Sequence, residues 1–152
     1  MQKTHRHILS ALATLVSITQ ARAQQQPVLR YEPAVVELSG TVKLERHYGP
    51  PNFGESPRTD AVYTVPILVL KTPVTVQADS PSPRMPVPVN SQTFHNVTRM
   101  QLIFGTPSTN IAGLHDEPVT VTGTLFQKIT GGHYTDVLVQ VKAFSLGAPR
   151  SP

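Results

Sequence analysis

The chain has 152 residues, fifteen prolines, nine glycines and no cysteine, and it carries thirteen basic against nine acidic side chains. The absence of cysteine excludes disulfides, thiolate metal sites and cysteine nucleophiles, so stability must come from packing and backbone pairing. So many prolines leave little room for long helices, because each removes a backbone donor and clashes with the preceding turn.

The first 23 residues have the order of a signal peptide. MQKTHRH carries Lys3 and Arg6, ILSALATLVSIT is an apolar run, and Ala21-Arg22-Ala23 is a small-x-small cleavage site. The run is shorter than the ~20 apolar residues a membrane-spanning helix needs, so no integral membrane protein is expected after cleavage at Ala23. Lys3, Arg6 and Arg22 leave with the leader, which takes the net charge from +4 to +1. The remaining cations are scattered, so the sequence lacks the clustered basic patch of a nucleic-acid binder. The expected location is periplasmic or secreted, and the expected partner is an envelope protein or a small ligand. What remains is long enough for one domain with a core. Residues 24–33 are expected to be a flexible N-terminus, 34–145 a single β-barrel domain and 146–152 a disordered tail.

Along that domain the apolar spacing has a period of two. In AVVELSGTVKLER, Ala34, Val36, Leu38, Val42 and Leu44 alternate with Glu37, Ser39, Thr41, Lys43 and Glu45, the pattern of a half-buried strand. AVYTVPILVL (61–70) reads as a strand in which Pro66 requires an edge or bulge position, and PVTVQ (73–77) as a short extension. ADSPSPRMPVPVN is a proline-dense loop. VTRMQLIF (97–104) is a strand with Met100, Leu102 and Phe104 in phase. PSTNIAGLHDE can hold a turn or two of helix behind a Ser108, Thr109 or Asn110 cap. The last strands are 118–127 and 135–144. Gly40 and Gly123 both fall on inward positions of their strands, which points to a sheet curled on itself.

Three strands, a short helix and two strands is the order of the OB-fold, so the expected class is all-β, a small barrel of five or six strands. An SH3-like barrel or a small sandwich stays open as an alternative.

Two segments hold the candidate binding residues. The loop ERHYGPPNFGESPR offers His47, Tyr48, Asn52, Phe53 and Glu55 between prolines and glycines that limit the freedom lost on binding. The stretch TGGHYTD offers His133, Tyr134, Thr135 and Asp136, with Gly131 and Gly132 expected to supply the left-handed backbone of a tight hairpin turn. His133 with Asp136, and His115 with Asp116 and Glu117, have the composition of a carboxylate-oriented base. No nucleophile elbow, phosphate loop or H-E-x-x-H motif accompanies them, so no catalytic residue is assigned. His47, His95, His115 and His133 lack the short spacing of local zinc ligands. No cofactor and no metal is expected; were a metal held, His115 and His133 would be its first ligands.

GPPNFGE after the first strand, MQLIF, and VTVTGTLF…TGGHYTDVLVQVKAF together resemble a bacterial exported family of unknown function. That family commonly carries a T-G-H-H-H-T turn after its GTLF strand. Here the matching positions are Thr130, Gly131, Gly132, His133, Tyr134 and Thr135, so one histidine stands where the pattern has several. The resemblance spans roughly residues 35–144 and implies a small exported β-rich protein, with no catalytic residue to carry over.

The leading expectation is a non-catalytic binding module that uses the 47–55 and 130–136 segments. A metal-binding protein or metal-dependent hydrolase with convergent histidines is the second reading, and a structural subunit of an envelope complex the third.

Overall fold

A computed structural model of the chain describes residues 26–81, 84, 87–105 and 110–147. The expected leader 1–23, the cap candidates Ser108 and Thr109, and the tail from 148 lie outside them. Six strands run in chain order: β1 Val28–Arg30, β2 Val35–Tyr48, β3 Val62–Gln77, β4 Phe94–Phe104, β5 Pro118–Gln127 and β6 Val137–Leu146. The ladders β3–β2–β5–β6–β4 close on themselves through β3–β4, giving a five-stranded barrel with β1 added to the outside of β3. Every barrel pairing is antiparallel except β4–β6, which is parallel. That ring is the five-stranded Greek-key arrangement expected from the strand order.

The period-two pattern of β2 explains its place in the ring. Val36, Leu38 and Val42 point inward and are buried, whereas Glu37, Ser39 and Lys43 face water. The first half of β2 pairs with β5 and the second half with β3, and the handover falls at Gly40 and Thr41. Gly40 is there because the sheet turns its corner on it: a Cβ would stand 2.2 Å from the carbonyl oxygen of Val69. Gly123 repeats the device at a register shift between β5 and β6, where a Cβ would stand 2.3 Å from the carbonyl oxygen of Gln140.

The two segments expected at 61–70 and 73–77 form one strand, β3. Its prolines sit where a missing amide donor is tolerated. Pro66 lies one residue beyond the β3–β4 ladder, which begins at Ile67, and Pro73 lies in the register shift between Val69 and Val74. The expected helix is a single 3-10 turn, Ile111–Leu114, and Asn110 at its cap makes no side-chain cap hydrogen bond. Gly113 within so short a segment and Pro118 soon after it leave no room for more. The turn places Leu114 in the core.

The N-terminal stretch expected to be flexible is ordered from β1 onward. Val28, Leu29 and Arg30 pair in parallel with Thr75, Val76 and Gln77. Tyr31 follows at 1% exposure in the main core, and its hydroxyl donates to the carbonyl of Gln92 at 3.0 Å. Burial, with the charges of Asp79 and Asp136, pushes its phenol up to about 12. A lone aromatic in RYEP shows no periodicity, so only packing could reveal its role.

A second, smaller core lies on the outer face. Register places Lys43, Ile67, Gln101, Leu138 and Phe126 in one row across β2, β3, β4, β6 and β5. Ile67, Gln101 and Leu138 in that row are buried although they face away from the barrel interior, so something covers them from outside.

Tyr31→Ala is expected to cost about 3–5 kcal/mol in chemical denaturation, and Tyr31→Phe about 1 kcal/mol for the lost hydrogen bond; an alanine variant of wild-type stability would make the N-terminal stretch dispensable. Gly40→Ala is expected to cost about 1–3 kcal/mol by overpacking against backbone that side-chain motion cannot relieve, read from the shift in denaturation midpoint.

Candidate binding surface

The β2–β3 loop is organised around one carboxylate. Asp60 Oδ1 accepts the backbone N–H of Asn52 at 2.9 Å and its side-chain amide at 3.1 Å. Oδ2 accepts the N–H groups of Gly54 at 2.8 Å and Ser56 at 3.3 Å. Burial pushes the carboxyl up, but the bonds from Gly54, Asn52 and Ser56 together outweigh it and hold Asp60 below its ordinary value. Wrapping the chain around this group requires left-handed backbone at Phe53 (φ 53°) and Gly54 (φ 104°). Phe53 is thereby presented to solvent while its neighbours are tied down. Asn52 serves the turn itself, and Glu55 is exposed beside it.

The segment after β5 does not make the tight left-handed turn expected at Gly131 and Gly132. It is a long loop, 128–136, between Gln127 and Val137. Among the described residues Gly54 is the glycine with positive φ, so Gly131 and Gly132 supply no left-handed turn. Gly131 is instead a point of close approach: a Cβ there would lie 3.0 Å from the Phe53 ring.

Gln101 fastens this loop over the outer core. Its Oε1 accepts the Tyr134 N–H at 2.7 Å, and its Nε2 donates to the Gly132 carbonyl at 3.3 Å. Its backbone N–H donates at 2.8 Å to the hydroxyl of Thr135, which itself donates to the Val137 carbonyl. Thr135 is thus an anchor beneath the loop. Asp136 contributes its backbone carbonyl, which accepts the Lys128 N–H. His133 Nδ1 accepts the Ile129 N–H at 3.1 Å, and its ring meets Phe126 edge-on at 5.5 Å. Burial, then the Lys128 charge, hold the imidazole below its ordinary value, consistent with a nitrogen that must stay unprotonated to accept.

From this anchorage Tyr134 reaches the end of β2. Its ring stacks on His47 with centroids 4.3 Å apart, and its hydroxyl donates to the Tyr48 carbonyl at 3.0 Å. Burial and Tyr63 push its phenol up. His47 Nε2 lies 3.3 Å from Glu45, which also binds Arg99. The structure therefore brings His47, Tyr48 and Phe53 of the first loop into contact with Gly131 and Tyr134 of the second. Tyr63 and Val62, absent from the sequence candidates, complete the surface: they pair directly opposite His47 and Tyr48. A large aromatic on the outward phase of AVYTV was the signal for Tyr63. Gln101 and Asp60 carried none, because their partners are distant in sequence or lie in irregular backbone.

His115 belongs elsewhere. Its Nδ1 accepts the Leu44 N–H at 3.2 Å and its Nε2 lies 3.5 Å from Asp116. His95 meets the Thr75 hydroxyl at 3.4 Å. Among the described residues no group of three or more histidine, aspartate or glutamate side chains is arranged to hold a metal ion. The convergence that a histidine-built metal centre requires is not found there. No helix among the described residues is long and apolar enough to cross a membrane.

These elements can be set beside known proteins. Residues 99–145 match DUF4431, a domain of unknown function. The match runs from within β4 through β6, so it includes Gln101 and the whole 128–136 loop and stops short of the β2–β3 loop. No curated protein and no solved structure matched the chain.

A carboxyl held below its ordinary value contributes stability that is full above that value and is lost as pH falls through the depressed one. Thermal unfolding between pH 6 and the acid limit is therefore expected to lose stability more steeply in the wild-type chain than in Asp60→Asn, which starts lower and has less to lose. Equal acid slopes would show that Asp60 does not organise the loop.

Proposed function

We propose that the chain is an exported, non-catalytic binding module of the bacterial periplasm or medium, whose recognition surface is built from the β2–β3 and β5–β6 loops. The observation that carries this reading is the direct joining of the two loops through Tyr134 on His47 and Tyr48, and Gly131 on Phe53. In OB-folds the loops between the first and second and between the fourth and fifth barrel strands are the ones that take up ligands, and these two loops occupy those places. A surface assembled before the ligand arrives loses little conformational freedom on binding.

The polar groups favour binding over chemistry. His133 and Thr135, which suggested a catalytic set, already hold the β5–β6 loop in shape, as Asp60 holds the β2–β3 loop. Export rests on the charge, apolar and cleavage order of residues 1–23, and bacterial origin on the GTLF…TGGHYTD resemblance.

Cell fractionation with N-terminal sequencing is expected to recover a mature chain beginning at Gln24 outside the cytoplasm. In a panel of Tyr48→Ala, Phe53→Ala, His133→Ala and Tyr134→Ala, the first two are expected to weaken partner capture about tenfold at unchanged melting temperature. Unchanged capture by all four, each folded, would sink the assignment of the surface.

A further inference from the structure

Barrel closure pairs β6 on both sides only along its first half. β4 runs beside it from Gln101↔Leu138 to Phe104↔Val141 and ends there, whereas β5 stays paired as far as Leu146. Residues 142–146 therefore form an edge, with β5 on one side and, among the described residues, no strand on the other. The Gly147 N–H donates to the Pro118 carbonyl at 2.6 Å. Backbone direction alternates along a strand, so Ser145 and Ala143 also turn their N–H and C=O groups to β5. Phe144 and Leu146 turn theirs to the open side.

The same two residues carry apolar side chains. Phe144 lies opposite Val121 and Leu146 opposite Val119, and both valines are buried in the main core. Residues directly opposite share a face, so Phe144 and Leu146 continue the inner face of the barrel. They are nevertheless 42% and 58% exposed, because β6 has run past the end of β4. Phe104, the last residue of β4, meets the Phe144 ring edge-on at 5.9 Å and covers only part of it. An open edge that carries apolar side chains is a template for another strand.

We propose that residues 142–146 are the interface of a homodimer, in which β6 pairs antiparallel with β6 of a second copy about a two-fold axis at Ser145. A two-fold axis brings the same patch of each copy together, so the patch must complement itself. Centred on Ser145, the axis sets Phe144 opposite Leu146 of the second copy, and Leu146 opposite its Phe144. Each pair exchanges the backbone bonds that the edge leaves open, and the two apolar pairs share one face and cover each other. Centring on Phe144 sets Leu146 against Lys142 and loses that match. Charge suits a second copy too. Lys142 is the single charge of the stretch and meets no like charge among residues 142–146 in this register. The net +1 expected after leader removal gives little mutual repulsion. The 128–136 loop joins β6 at its opposite end, at Val137, so this interface is distinct from the recognition surface.

The test uses the full chain and begins with sedimentation equilibrium over a dilution series, where the average mass is expected to rise from monomer to dimer with concentration. Leu146→Pro removes an N–H that faces the open side and takes no bond from β5. That variant is expected to stay monomeric at an unchanged melting temperature. Ser145→Cys places a thiol on the axis, where facing residues have Cα atoms about 4.5 Å apart, within disulfide range. The chain has no other cysteine, so this variant is expected to cross-link to a covalent dimer in air, whereas Ser39→Cys, also exposed, stays single. Amide hydrogen exchange at Phe144 and Leu146 is expected to be fast in the monomer and slowed in the dimer. A dimer that Leu146→Pro leaves intact is held by another surface and overturns the proposal. Slow exchange at both amides in a monomer means that the chain's own residues cover the edge, and overturns it as well. A chain that stays monomeric with both amides exchanging fast leaves the edge to a strand of some other protein, which also overturns it.

Discussion

A Cβ at position 40 or 123 would lie closer to a neighbouring carbonyl oxygen than atoms can approach. Those two bare positions are the constraint on which barrel closure rests. At Gly40 β2 changes partner from β5 to β3, and at Gly123 β5 and β6 shift register. Tight curvature at both places lets five strands return on themselves with a filled interior. Strand closure also removes most of the exposed edges that a flat sheet of this length would offer to other chains.

Closure has a consequence outside the barrel. It brings Ile67, Gln101 and Leu138 into one row on the outer face, and apolar groups left in that position need a cover. The 128–136 loop supplies it, fixed by the side chain and backbone of Gln101. A buried amide holding donors and acceptors at specific distances defines where the loop lies far better than apolar contact alone. Tyr134 then arrives at His47 and Tyr48 as a result of how the outer core is covered.

The β2–β3 loop reaches the same place by a separate device. Asp60 gathers backbone N–H groups that an irregular loop would otherwise leave to water, and the resulting turn holds Phe53 in left-handed backbone facing outward. Two independently organised loops meet at an aromatic–glycine contact, Phe53 on Gly131. Each stiffens the other, and the exposed rings inherit that rigidity.

The positions of the five barrel strands, the inward phase of Val36, Leu38, Val42, Met100 and Leu102, and the two corner glycines were legible in the sequence, because period-two burial is a local signal. So were the two loops, through their aromatics and their prolines and glycines. The sequence also suggested a flexible start and a left-handed Gly131-Gly132 turn, and tertiary structure decided otherwise. Tyr31 is buried by strands remote in sequence, and Gly131 answers to a ring 78 positions away. Local pattern determines which face of a strand is apolar; it carries no information about what will lie against a loop. The meeting of the loops, and the roles of Gln101, Asp60 and Tyr63 in it, exist only once the barrel has closed.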